Sequence, residues 1–229
     1  MTESAKAVST RPQPIPGRTP KSFANILATA MIATILVALG ITLDARSETF
    51  DAATQSAAKS FDAKMQTLQS KDDQPAYPAV IIIEHEANSY LKVHSGDSFP
   101  LGVHTPSVKV EPEHAMANAN VDFDELSRSY PNQTDWGPKV LSAMFKGTQP
   151  VTVTAKIQNQ ASGVLFQVES VVVGSTTVPN WLVDYIIQNV LQPKYHFDLS
   201  KPLPYPDHVK QIVLGSGQVT FLRGPKGGK

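Results

Sequence analysis

Apolar and polar positions divide this chain into segments of unlike period. From Phe23 to Leu43 apolar residues run without a charge, relieved only by Asn25, Thr29, Thr34 and Thr42. Wound as a helix, that run is about 30 Å long, the thickness of a bilayer core, and it predicts a transmembrane helix over 23–43. A second period follows. Phe50, Ala53, Ala57, Phe61, Met65 and Leu68 fall three or four apart in a stretch without glycine or proline. That spacing predicts a helix within residues 44–75, either a stalk or a helix packed on the domain behind it. Lys64 and Ser60 interrupt any strict heptad.

Asp73 to Pro78 breaks this pattern and opens a folded domain over 76–222. Ala79–Ile83 reads as a short buried strand, and Glu84–Val93 as a helix with Ala87, Tyr90 and Leu91 on one side. Val108–Val110 and Ala115–Val121 read as paired strands, and Phe123–Ser129 as one or two helical turns capped by Asp122 or Asp124. Val151, Val153, Ala155 and Ile157 alternate with polar neighbours, the mark of a half-buried strand. The turn Gln160–Gly163 returns the chain into Val164–Val173, which alternates at first and then turns apolar on both faces. Pro179 suits the first turn of a helix over 180–191. That helix is apolar around most of its circumference, with Asn180, Asp184 and Gln188 as one narrow polar stripe, so it should be enclosed by other structure. A proline-rich connector, Leu199–Pro206, leads to a last hairpin of Val209–Leu214 and Gln218–Leu222. The fold class expected is α+β: a transmembrane helix and helical stalk, then a curved antiparallel sheet packed around a long apolar helix.

Charge sets the orientation. Lys6, Arg11, Arg18 and Lys21 precede the apolar run, while Asp44, Glu48 and Asp51 follow it against Arg46. The excess of basic residues on the N-terminal side places residues 1–22, a proline-rich disordered tail, in the cytoplasm. Residues 44–229 then lie outside, on the far side of the membrane. Cleavage of the run as a signal peptide at Ala45 would send the domain to the same compartment. The 20 basic and 20 acidic residues balance, which removes the electrostatic case for a nucleic-acid partner. With no cysteine, the chain has neither disulfides nor a thiol nucleophile. The tail 223–229 is basic and glycine-rich, and reads as disordered.

Chemistry-bearing motifs are sparse. There is no phosphate-binding glycine loop and no nucleophile elbow. Ser56 and Lys59 match S-x-x-K but lack its companion motifs. His85, His94, His104 and His114 stand nine to ten apart, which is not a ligand spacing. Glu84, Glu86 and Asn88 open a helix, where carboxylates complement the dipole and bond free N–H groups. Asp122, Asp124 and Glu125 lack the spacing of a calcium loop. Asn132 begins a formal glycosylation sequon, relevant only to a eukaryotic source. No cofactor, metal site or enzymatic activity is expected.

The stretch Ile81-Ile82-Ile83-Glu84-His85-Glu86-Ala87-Asn88-Ser89-Tyr90-Leu91 resembles a strand-to-helix pattern of bacterial envelope proteins, with Ala87 where leucine is usual. Val178-Pro179, the apolar helix, Asp198-Leu199-Ser200, the proline-rich connector and the closing hairpin extend the likeness. Over residues 79–222 the chain resembles small lipid-binding proteins related to the tubular lipid-binding (TULIP) superfamily, including the DUF2993 type. That resemblance implies lipid chains held between a long helix and a curved sheet. The expected function is therefore non-enzymatic binding of a lipid or other apolar ligand by a membrane-anchored domain. Trp181, Leu182, Tyr185, Ile186, Val164, Phe166 and Val168 are the candidate wall. The alternative is a structural or assembly subunit of an envelope complex, with envelope proteins as partners.

Overall fold

The structure, a computed structural model, describes residues 50–69, 78–95, 99, 102–128, 143–192, 198–206 and 208–224. The apolar run 23–43, the tail 1–22, residues 225–229 and the sequon lie outside these residues; Arg223, read from the sequence as part of a disordered tail, is instead the buried last residue of the final strand. No helix among the described residues is long and apolar enough to cross a membrane.

Helix α1 spans Ala52–Gln69 and starts where Asp51 caps it, accepting bonds from the Thr54 amide (2.8 Å) and hydroxyl (2.9 Å). Its buried face is Thr54, Ala58, Phe61, Met65 and Leu68. The first two turns are thus rotated from the alanines the spacing suggested, since Ala53 is exposed and Thr54 buries its satisfied hydroxyl. The helix docks on the domain: Phe61, Met65 and Leu68 belong to the same core as the sheet residues. Leu68 is 1% exposed. Leu68→Ala should therefore cost about 2 kcal/mol, at the lower end for a buried leucine because a surface-docked helix can settle into the gap. Urea unfolding at neutral pH measures it, and an unchanged midpoint would mean that α1 does not contribute to the cooperative unit.

Strand β1 (Ala79–Ile83) runs directly into α2 (Glu84–Val93), which lies antiparallel to α1 with the Phe61 and Tyr90 rings 4.6 Å apart. β2 (Val103–Glu111) and β3 (His114–Asp122) are longer than their sequence cores suggest, and α3 is Phe123–Arg128. Asp122 is its cap, accepting from the Asp124 and Glu125 amides at 2.9 Å each. β4 (Thr148–Gln160), β5 (Gly163–Val173) and the two-residue β6 (Thr176–Thr177) follow. The helix after Pro179 is α-helical only over α4 (Asn180–Ile186) and continues as a π-helical turn over Ile187–Leu191. β7 (Val209–Gly215) and β8 (Gln218–Arg223) are the last described strands.

Among the described residues the strands form two antiparallel sheets, ordered β2-β3-β4-β5-β6 and β1-β8-β7. The fold is α+β with a curved antiparallel sheet. A bulge lets it bend: Thr154 opposes Ser170 and Ala155 opposes Val168, leaving Glu169 as the extra residue of β5. The inward phase of β5 therefore passes from Phe166 and Val168 to Val171 and Val173. This is why its second half reads as apolar on both faces.

Peptide groups on the outer edges of two strands are capped by side chains. Asn88 of α2 donates to the Val108 carbonyl (2.9 Å) and accepts from its amide (2.7 Å), while Glu84 accepts from the Val110 amide (3.0 Å). Asn159 does the same for Ile212 of β7 (2.7 and 2.9 Å), and the Tyr205 hydroxyl donates to it at 2.9 Å. One asparagine side chain here replaces one residue of a neighbouring strand.

Candidate functional site

A cleft of about 420 Å³ lies between β5 and the helix after Pro179. That volume falls within the roughly 300–1,000 Å³ of small-ligand sites. One wall is the stretch Leu165–Ser170 of β5 and the other is α4 with its π-turn. Because all six consecutive strand residues line it, the edge of the strand, and not one face alone, forms that wall.

The helical wall presents Asn180, Val183, Asp184, Ile187, Gln188 and Gln192. The polar members recur every four residues, so the stripe legible in the sequence lies along the cleft. Val183 and Ile187, beside that stripe, line the cleft together with Phe166 and Val168. The widened turn at 187–191, where the Gln192 amide reaches the Ile187 carbonyl, forms the far half of this wall. Such turns are rare and often accompany binding sites.

Asp198 ties the far end. Its Oδ1 accepts from the Ser200 hydroxyl (2.5 Å), the Ser200 amide (3.0 Å) and the Gln192 side chain (2.9 Å), and Lys201 Nζ lies 2.9 Å from Oδ2. The Ser200 hydroxyl and the Lys201 ammonium hold the Asp198 carboxyl down at about 2. The end of the π-turn and the connector are thereby joined, with Leu199 and Ser200 lining the cleft. Glu169 and Asp184 give the lining its charge, and Glu169 lies 3.2 Å from His114.

Of the seven wall residues expected from sequence, Phe166 and Val168 line the cleft. Val164 and Leu182 are each 0% exposed within the core, and Ile186 packs against that core. Tyr185 is half-buried, whereas Trp181 is 63% exposed. Sequence reasoning missed Val183, Ile187 and the polar stripe as lining. The stripe itself was the available signal, since a polar line on an apolar helix can face an open cleft as readily as bulk solvent.

The other motif residues do not converge. His94, His104 and His114 face Asp62 (4.0 Å), Glu125 (3.4 Å) and Glu169 (3.2 Å) on separate elements. No group of three metal-ligating side chains occurs among the described residues. Ser56 and Lys59 are both exposed on α1.

No family model, curated protein or solved structure matches this chain. Function must be read from the cleft itself.

Proposed function

We propose that the chain is a membrane-anchored, non-enzymatic binder of a lipid or other apolar ligand, with the cleft beside helix 180–191 as its site. The observation that supports this reading is an open cleft with an apolar floor of Phe166, Val168, Val183 and Ile187, rimmed by side-chain amides. An elongated apolar ligand would bury its chain on that floor and turn any polar group to Asn180, Gln188 or Gln192. The TULIP-like resemblance is consistent with a ligand held between sheet and helix. In this reading the apolar run 23–43 is the anchor, and the domain stands on the periplasmic side of a bacterial inner membrane.

A specific feature also favours assembly as a second reading. Ile81 of β1 and Val213 of β7 are 44% and 40% exposed, and both sit level with Thr220 of β8 on one outer face. Ile83, 42% exposed, extends that apolar patch. Such a patch is suited to a partner protein of an envelope complex.

The test is uptake of a fluorescent fatty acid by the full chain in nanodiscs, with mass spectrometry of molecules extracted from the purified protein. Val168→Asp, which puts a charge on the floor, should weaken uptake at least tenfold while leaving thermal unfolding near that of the parent. Uptake indifferent to this substitution would remove the cleft as the site.

A further inference from the structure

The edge of β5 is the part of the cleft that an apolar chain alone leaves unused. Val164 exchanges both peptide hydrogen bonds with Leu203, each at 2.8 Å, so its N–H and C=O point away from β4. The strand period of two makes the peptide groups of Phe166 and Val168 point the same way. Outward pairing resumes only at Val171, whose carbonyl accepts from the Val178 amide at 2.8 Å, and at Val172 and Val173, which pair with β6. Among the described residues, no strand, turn or side chain takes the outward groups of Phe166 and Val168. The contrast with the edges of β2 and β7 is direct, since Asn88 and Asn159 occupy the equivalent groups there.

The open stretch has defined ends. It runs from the Leu203 bridge to Val178, about 24 Å along the strand, room for a segment of five or six residues. Its free groups alternate with apolar side chains at strand spacing, and Val183 and Ile187 line the same cleft from the helix. An acyl chain offers no donor or acceptor to these groups, and would strip water from them. An extended polypeptide offers both at the required repeat, with alternate side chains directed at the floor. Glu169 and Asp184 line the cleft and no lysine or arginine does so among the described residues, which favours neutral or basic residues in the incoming segment.

We infer that the apolar ligand of the cleft is an extended polypeptide segment, added to the sheet as an outer strand on β5 and paired to the peptide groups of Phe166 and Val168. This rests on the cleft being the ligand site, and it narrows the ligand from any apolar chain to one with a peptide backbone.

The test uses the full chain in nanodiscs and a fluorescein-labelled seven-residue peptide alternating valine with threonine and lysine. Anisotropy should show saturable binding. N-methylation of the peptide amides on one edge should weaken it at least tenfold, with methylation on the other edge much less damaging. Backbone hydrogen exchange should slow at least tenfold at Phe166 and Val168, and stay unchanged at Leu165 and Gln167, which already bond to β4. Val168→Pro removes one edge donor without touching the β4 ladder and should weaken the peptide similarly. Should that variant fail to fold, the methylated peptides carry the same information. Uptake of fluorescent fatty acid without peptide binding would overturn the polypeptide inference and leave the cleft a binding site. If neither probe bound, both readings would fall.

Discussion

Glu86→Ala is expected to lower folding stability by about 3 kcal/mol at neutral pH, the loss associated with breaking a largely buried charge pair whose lysine keeps some solvent. Glu86 is 7% exposed, yet four hydrogen bonds converge on it. Lys64 Nζ lies 2.6 Å from both carboxylate oxygens, the Ser60 hydroxyl donates at 2.5 Å and the Ile83 amide at 3.0 Å. One side chain thereby caps α2, closes the strand-to-helix corner and fastens α1 to the domain. Alanine leaves an ammonium, a hydroxyl and an N–H without their acceptor.

The same carboxylate predicts how stability changes with pH. Burial pushes Glu86 up, but the bonds from Lys64, Ser60 and the Ile83 amide outweigh it, and the net result lies below the ordinary value of 4.5. A carboxyl lowered in the folded state contributes stability that is complete above its unfolded value and is lost as pH falls through the folded one. Glu86→Gln keeps an acceptor but no charge. Its deficit against the parent should be about 1–2 kcal/mol at pH 7 and should shrink steadily below about pH 4.5. Urea titrations at pH 7 and pH 3.5 measure the two gaps, and equal gaps would refute an ionised Glu86. Asp51 and Asp122, lowered chiefly by the backbone amides of Thr54 and Glu125 respectively, are common to both proteins and cancel in the difference.

Elements with a clean period were legible from the residues. The alternation of Val151 to Ile157 gave β4, and the carboxylates at the start of α2 gave capping by Glu86. The tertiary uses of those same residues were not legible. Nothing local says that Glu86 will find Lys64 or that Asn88 will complete the edge of β2, because both partners come from distant sequence. The bulge at Glu169 was hidden for a related reason. A bulge shifts the strand's phase by one, and a run of three valines at 171–173 conceals which phase holds.

The candidate site was half legible for a physical reason. An apolar helix says that something covers it, but not where the cover stops. Leu182 and Ile186 were drawn into the core, Trp181 was left outside, and the boundary between these fates is the cleft. The decisive feature, an unpaired stretch of strand edge, has no side-chain signature. It exists because β6 is two residues long and because, among the described residues, the connector pairs with β5 only at Leu203 and Val164. Both facts belong to the chain's path and not to its local composition.

Gly163→Ala should be among the most damaging single changes in the domain, at about 4 kcal/mol or more, the range reserved for a backbone collision that cannot relax. Gly163 has φ of +152°, and a methyl group there would stand 2.0 Å from the Leu203 carbonyl oxygen and 2.6 Å from its carbon. The obstacle is the backbone of Leu203 and Pro204, not the end of a flexible side chain. Leu203 cannot retreat without giving up its two bonds to Val164, which hold the connector 198–206 against β5. Gly217 is the control, because it also has a positive φ, +72°, but nothing lies within 4 Å of its added methyl. Gly217→Ala should therefore cost only the conformational strain, about 1 kcal/mol. The gap of about 3 kcal/mol between the two variants contains the close approach at Leu203 together with the harsher backbone angle of Gly163, +152° against +72°. If Gly163→Ala keeps a folded core, the released connector should be cut faster by protease, and cleft ligands should bind more weakly than to the parent. Equal urea midpoints for the two alanine variants would mean that Leu203 does not hold its place against Val164.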